Sequence, residues 1–354
     1  VHGQGTLYLT ELNSDVKSVK GKPVKIWQGG FKNAHELGGG FGMEGSHMYR
    51  INGKYYITCP AGGTGGWQIC LRSDNIYGPY EHKLIMNDWS SYPKNGLHQG
   101  GMVQLKNGDW WFMIMQDRGP IGRVPCLVPV KWIDGWPMLG DEGKDLITYP
   151  KPATGKKSKI KSPATTDEFN ASQLGLQWQW NHNPDNSRWS LKERKGYMRL
   201  YASQASTLKD ARNTLTQRVQ GPSCEGSVEM EVTGLKDGNI AGFGIFEFPY
   251  AYVAIRQESG RRKIVMCNDG KDIETVEHFN GDKLWIRVRA TDKEFKALFY
   301  YSLDGVNYKR IGNELQMGLG LPWTANRFAL FNFNTTPQGN NGYADFNWFR
   351  FTNK

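Results

Sequence analysis

Two stretches of this chain carry one plan, and that plan excludes most folds. His47-Met48-Tyr49-Arg50-Ile51 and Lys54-Tyr55-Tyr56-Ile57 alternate about the dipeptide Asn52-Gly53, as Met102-Val103-Gln104-Leu105 and Trp110-Trp111-Phe112-Met113-Ile114 do about Asn107-Gly108. A period of two is the pattern of a strand, and Asn-Gly tolerates the positive φ angles of a tight hairpin turn. Asn52 and Asn107 are 55 positions apart, and each hairpin follows a small polar cluster, Glu44-Gly45-Ser46-His47 or His98-Gln99-Gly100-Gly101. A repeat of about 50 residues built from short strands is the signature of a propeller blade, whose innermost strands converge on a central axis. Glu44 and His98 then enter one axial cavity from neighbouring blades.

Further strands fit the plan: Leu7 to Leu12, Trp67 to Ser73 before the turn Tyr77-Gly78-Pro79-Tyr80, and Val124 to Trp132 before Asp134-Gly135-Trp136-Pro137. Helical periodicity is nearly absent. Residues 1–149 supply about three blades, whereas closed propellers use about four to eight. Blades preceding Val1 in the same polypeptide are therefore expected. A chain starting at Val1 is expected not to fold stably alone, because an open propeller exposes a strand edge and half a core.

The formal charge of +10 raises a nucleic-acid reading, but five of those charges are Lys151, Lys156, Lys157, Lys159 and Lys161. They lie in a Pro/Thr/Ser-rich stretch, residues 150–166, which reads as a solvated linker. With the linker set aside, no nucleic-acid partner is expected. No run of about 18 apolar residues appears, so no membrane span is expected. Cys59, Cys70, Cys126, Cys224 and Cys267 are odd in number and widely spaced, and read as buried thiols, neither a disulfide framework nor a zinc site.

Residues 167–354 alternate in a different style. Leu284, Ile286 and Val288 share one face, Trp285, Arg287 and Arg289 the other, and Asp304-Gly305 turns a hairpin. Many short antiparallel strands without helices read as a β-sandwich. The fold class is thus all-β, a partial propeller followed by a sandwich.

With these motifs placed, the first half resembles glycoside hydrolase family 43, five-bladed propellers that cleave pentose-containing polysaccharides with inversion. The resemblance runs through Glu44-Gly45-Ser46-His47, Tyr49, Asn52-Gly53-Lys54-Tyr55-Tyr56, Arg72-Ser73, His98, Asn107-Gly108, Trp110-Trp111, Gly122-Arg123 and Pro129-Val130-Lys131-Trp132. The second half, with Gly175-Leu176-Gln177-Trp178-Gln179-Trp180 and Tyr301-Ser302-Leu303-Asp304-Gly305, resembles the concanavalin-like C-terminal domain of many β-xylosidases of that family.

The resemblance implies that Glu44 is the general acid. An inverting glycosidase needs one protonated carboxyl and a second carboxylate about 6.5 to 9.5 Å away to activate water. The general base and the aspartate that tunes the acid are implied to lie in the absent blades, since no segment before Glu44, Glu36 included, matches either motif. His98 resembles the axial histidine that often approaches a calcium ion, although Gln99-Gly100-Gly101 departs from the acidic residue common there. Arg123 resembles an arginine that reaches the substrate; its plain alternative is a surface salt bridge. Trp67, after a glycine run, reads equally as a sugar-stacking ring and as a blade-core residue. Gly38-Gly39-Gly40-Phe41-Gly42 brings backbone close to the pocket and is no phosphate loop, so no organic cofactor is expected.

In the sandwich, Phe246 within Phe246-Glu247-Phe248-Pro249-Tyr250 reads as a ring reaching the substrate or as domain packing. Asp167, Glu168 and Asp345, near the two ends of the domain, read as a structural calcium site or as solvated strand ends. The leading expectation is a secreted or periplasmic, bacterial-type hydrolase that removes terminal xylosyl or arabinofuranosyl units from xylan or arabinoxylan. The alternative is a non-catalytic carbohydrate-binding protein built from a propeller and a sandwich.

Overall fold

The structure, a computed structural model, describes residues 5–28, 42–87, 96–144, 148–155, 159, 161–318, 324–337 and 341–354. It is all-β, as the alternation requires; among the described residues the only helical pieces are the short 3-10 turns Gly63–Gly65 and Gly119–Ile121. No helix there is long and apolar enough to cross a membrane. The chain divides into two compact units, Val1–Arg118 with Arg123–Lys159, and Gly119–Gly122 with Ile160–Lys354.

In the first unit β1 (Thr6–Leu12) pairs with β2 (Val19–Gln28). Two four-stranded antiparallel meanders follow. One is β3 (His47–Ile51), β4 (Lys54–Ala61), β5 (Trp67–Ser73) and β6 (Glu81–Met86); the other is β7 (Leu97–Gln104), β8 (Trp110–Asp117), β9 (Arg123–Ile133) and β10 (Trp136–Leu139). Each is one blade. Their facing sides share a core that includes Tyr56, Cys70, Met86, Phe112, Ile114, Val128 and Trp136. A second core, with Leu7, Ile57, Cys59, Ile69 and Leu71, packs the other face of β4 and β5 against β1 and β2. β4 is therefore buried on both faces from Tyr56 to Ala61, and a strand in that position has no need of a polar face.

Polar staples tie the two blades together. The Tyr49 hydroxyl accepts the Met102 N–H at 2.7 Å, and the Tyr56 hydroxyl donates to the Gly135 carbonyl at 3.0 Å. Arg72 donates to the carbonyls of Asp134 and Gly135, pairs with Glu81 and lies 4.1 Å from the centre of the Trp136 ring. Several residues of the family-like motif thus serve blade contact.

The second unit is a sandwich of two sheets, antiparallel but for the short strand Ser203–Gln204, which runs parallel to Arg327–Asn334. One runs in the order Trp189–Ser190, Met198–Tyr201, Tyr343–Asn353, Ser223–Glu231, Lys283–Thr291, Lys296–Ser302 and Lys309–Arg310. The other runs Gln179–Trp180, Leu215–Arg218, Arg327–Asn334, Asn239–Phe246, Ala251–Glu258, Arg261–Asn268 and Lys271–Val276. Leu284, Ile286 and Val288 point inward as their spacing predicts, joining Val228, Met230, Phe243, Phe328, Phe346 and Phe349 in one core. Trp285, Arg287 and Arg289 point outward, where Glu229 accepts from Trp285 and Glu225 pairs with both arginines. Of the five cysteines, Cys126 is only half-buried; the others are buried and all are free thiols. Burial pushes the Cys59 thiol up to about 12, leaving it a core residue.

Candidate active site

Glu44 stands at the tip of a turn held from both sides. Before it, Gly42 bridges to Ala61, and the N–H of buried Met43 donates to the Pro60 carbonyl at 2.6 Å. After it, the Ser46 hydroxyl donates back to the Met43 carbonyl at 2.6 Å. Met43 and Gly45 both take positive φ, 65° and 69°, so the chain reverses sharply and leaves the Glu44 side chain exposed. Gly45 lies against Gln99: a Cβ at that position would sit 2.8 Å from the Gln99 amide nitrogen. Gly38 to Phe41 and Glu36 lie outside the described residues.

Gln99 owes its place to a β-bulge in β7. The register with β8 shifts between His98 and Gly100, and Gln99 adopts a φ of 59°; a bulge re-aims the side chains beside it. The Gln99 N–H donates to Oε1 of Gln68, a fully buried glutamine of β5, at 2.7 Å. His98 is also buried, with Nδ1 3.1 Å from the Gly96 carbonyl. A carbonyl only accepts, so Nδ1 carries the hydrogen and Nε2 faces Oδ2 of Asp117 at 3.7 Å. Burial lowers the basicity of this imidazole, against the opposing pull of the Gly96 carbonyl and Asp117. Gly66 is required beside it, since a Cβ there would lie 2.4 Å from the Ala61 carbonyl oxygen and 2.8 Å from the His98 ring.

Arg123 opens β9 directly opposite Asp117, the last residue of β8. Its Nε is 3.4 Å from Asp117 Oδ1 and its Nη1 donates to Gln99 Oε1 at 3.3 Å. The structure thus joins Gln68, His98, Gln99, Asp117 and Arg123 in one polar cluster beside the Glu44–Gly45 turn. The cluster offers a part-exposed guanidinium held by Asp117 and Gln99, with the Glu44–Gly45 turn lying against Gln99. Sequence reasoning overlooked Asp117 and Gln68. Their signals were Gln116-Asp117-Arg118 closing an apolar strand, and a lone amide inside Trp67-Gln68-Ile69-Cys70-Leu71.

The remaining candidates lie elsewhere. Trp67 packs against the core of β4 and β5, its ring so close over Gly62 that a Cβ there would come within 2.4 Å. Phe246 is buried among the sandwich aromatics, and Phe248 is the exposed ring of that segment. Asp167 does meet the far end of the domain, through a bridge to Phe349, but its carboxylate accepts from Phe169 N–H, Gln177 and the Trp178 indole. Asp345 is held by Arg199 and Arg194, and Glu168 by Arg350. The three carboxylates are thus committed to different partners, whereas a calcium ion gathers about six to eight oxygen ligands around itself. His98 with Asp117 supplies only one carboxylate, and no group of three or more metal-ligating side chains gathers among the described residues.

A stack of four-stranded blades followed by a concanavalin-like sandwich is the plan of a class of two-domain glycoside hydrolases. The chain belongs to glycosyl hydrolases family 43. Residues 1–137 match the model of that family, and residues 166–352 match that of the beta xylosidase C-terminal concanavalin A-like domain. It is 32% identical to a beta-xylosidase of Formosa agariphila over 88% of this chain and 60% of that protein. It is 28% identical to a non-reducing end alpha-L-arabinofuranosidase of Bacteroides ovatus over 88% of this chain and 63% of that one. A bifunctional GH43-CE protein of Bacteroides eggerthii superposes with a TM-score of 0.88 at 38% identity, over 100% of this chain and 46% of its own. The chain therefore spans about 60% of the length of the curated relatives it matches.

Proposed function

We propose that the protein is a glycosidase that removes terminal pentosyl residues, β-xylosyl or α-L-arabinofuranosyl, from xylan or arabinoxylan with inversion. The observation that carries this reading is Glu44 at the tip of a braced turn, next to a cluster that presents Arg123. In the proposed reaction the Glu44 carboxyl donates its proton to the glycosidic oxygen as the bond to the anomeric carbon breaks. A water attacks the opposite face of the sugar and gives its proton to a second carboxylate. Arg123 donates to sugar hydroxyls, a task suited to a planar fork of donors. We assign the second carboxylate and the aspartate that tunes Glu44 to blades outside these 354 residues. The greater length of the relatives supports that assignment, and Asp117 is already paired with Arg123. The likeness to a beta-xylosidase and to an alpha-L-arabinofuranosidase supports the pentose substrate.

The test is Glu44→Gln in the full-length protein. Turnover of an aryl β-xyloside or α-L-arabinofuranoside should fall about 10²- to 10⁴-fold, with xylose or arabinose binding retained in calorimetry. Unchanged hydrolysis removes Glu44 as the acid, and no hydrolysis by the unaltered protein favours a carbohydrate-binding role. Proton NMR of the first product should show the anomer opposite to that of the substrate; a retained anomer overturns inversion.

A further inference from the structure

We propose that Asp117 is a positioning residue that orients Arg123 toward the sugar, with Gln99 as its second tether. The inference rests on the reading of Arg123 as a substrate contact and adds to it how that contact is aimed. Asp117 and Arg123 are direct cross-strand partners that close the hairpin of β8 and β9, so the backbone ladder sets their separation. Asp117 is 7% exposed, and a carboxylate taken out of water requires a cation or several donors around it. Its Oδ1 accepts from Arg123 Nε at 3.4 Å, so this buried carboxylate holds one edge of the guanidinium.

The second tether comes from the bulge. Gln99 reaches Arg123 Nη1 only because its own backbone is turned to positive φ, and that backbone is pinned by the buried Gln68. A guanidinium held at both Nε and Nη1 keeps its plane before a ligand arrives. Less rotamer freedom is then lost when it meets neighbouring hydroxyls on a pentose. Lysine in place of Arg123 would keep the charge and lose the fork.

The experiment is a double-mutant cycle in the full-length protein with Asp117→Asn, Arg123→Lys and the pair, reading KM, kcat and the thermal midpoint on one aryl pentoside. Asp117→Asn should raise KM about tenfold, change kcat less than about threefold and leave the midpoint within about 3 °C. In the Arg123→Lys background the same change should alter KM by less than about twofold, because the guanidinium it orients has gone. The inference is overturned if Asp117→Asn leaves KM unchanged while Arg123→Lys raises it, or if the two effects multiply independently. If Arg123→Lys itself leaves KM unchanged, the substrate-contact reading of Arg123 falls and this inference with it, whereas the loss of turnover in Glu44→Gln still reports separately on the acid. Should Asp117→Asn not fold, Gln99→Met carries the same test: a rise in KM that disappears beside Arg123→Lys supports the proposal, and one that persists overturns it.

Discussion

A methyl group at Gly100 would lie 1.9 Å from the Met113 carbonyl oxygen, whereas one at Gly108 would meet nothing within 4 Å. Gly100→Ala should therefore cost about 3 kcal/mol or more through forced backbone displacement. Gly108→Ala should cost only about 1 kcal/mol, for its φ of 93°. Urea denaturation of the two variants reads the difference. A second residue-scale case is Glu247, buried and hydrogen-bonded to Thr324, whose carboxyl burial pushes above its ordinary value of 4.5. A raised folded value means that its contribution to stability is fully present below the unfolded value and is lost as pH rises through the folded one. Glu247→Gln should raise the thermal midpoint at about pH 8, with the gain shrinking toward about pH 4; a gain that grows on acidification would reverse the sign. At this scale the site was partly legible. Glu44, His98 and Arg123 stand beside motif residues in the sequence, but Asp117 acquires a role only through its cross-strand partner.

At the scale of elements, the same dipeptide makes two different turns. Asn52 and Gly53 both take positive φ, 50° and 84°, and form a two-residue loop closed by the pair Ile51–Lys54, the type I′ geometry expected of Asn-Gly. At Asn107-Gly108 only the glycine is left-handed, and the loop spans Leu105 to Asp109. There the Gly108 N–H donates to the Leu105 carbonyl, and the Leu105 N–H donates to the Asp109 carbonyl. The expected hairpins are there, yet the second has the longer connection, because Asn107 turns its side chain to Asp109. Asn52→Val should cost about 1–2 kcal/mol, since a β-branched residue resists positive φ; a shift of the urea midpoint at constant slope would measure it. Alternation was a weaker guide where both faces are covered, as in β4, since neither neighbouring sheet is visible from one strand's spelling.

At the scale of the molecule, each unit has hydrophobic cores of its own. Residues 161–354 expressed alone should unfold in one cooperative thermal transition, and Phe243→Ala, which empties a fully buried site, should lower its stability by about 3–5 kcal/mol. A broad transition without a baseline would count against an autonomous sandwich. The all-β class, the blade repeat, the sandwich and the family can all be read from the order of residues alone. Periodicity, turn dipeptides and ordered motifs are local properties that survive without coordinates. Which polar side chains meet is set by the folded chain. A bulge at Gln99, a ladder pair at Asp117 and Arg123 and a glycine beneath His98 bring together residues of β5, β7, β8 and β9. Register and close approach belong to the packed chain and not to any segment of it. For the same reason Asp167, Glu168 and Asp345, grouped on paper by their places in the sandwich, were drawn to different partners by the sheet that holds them.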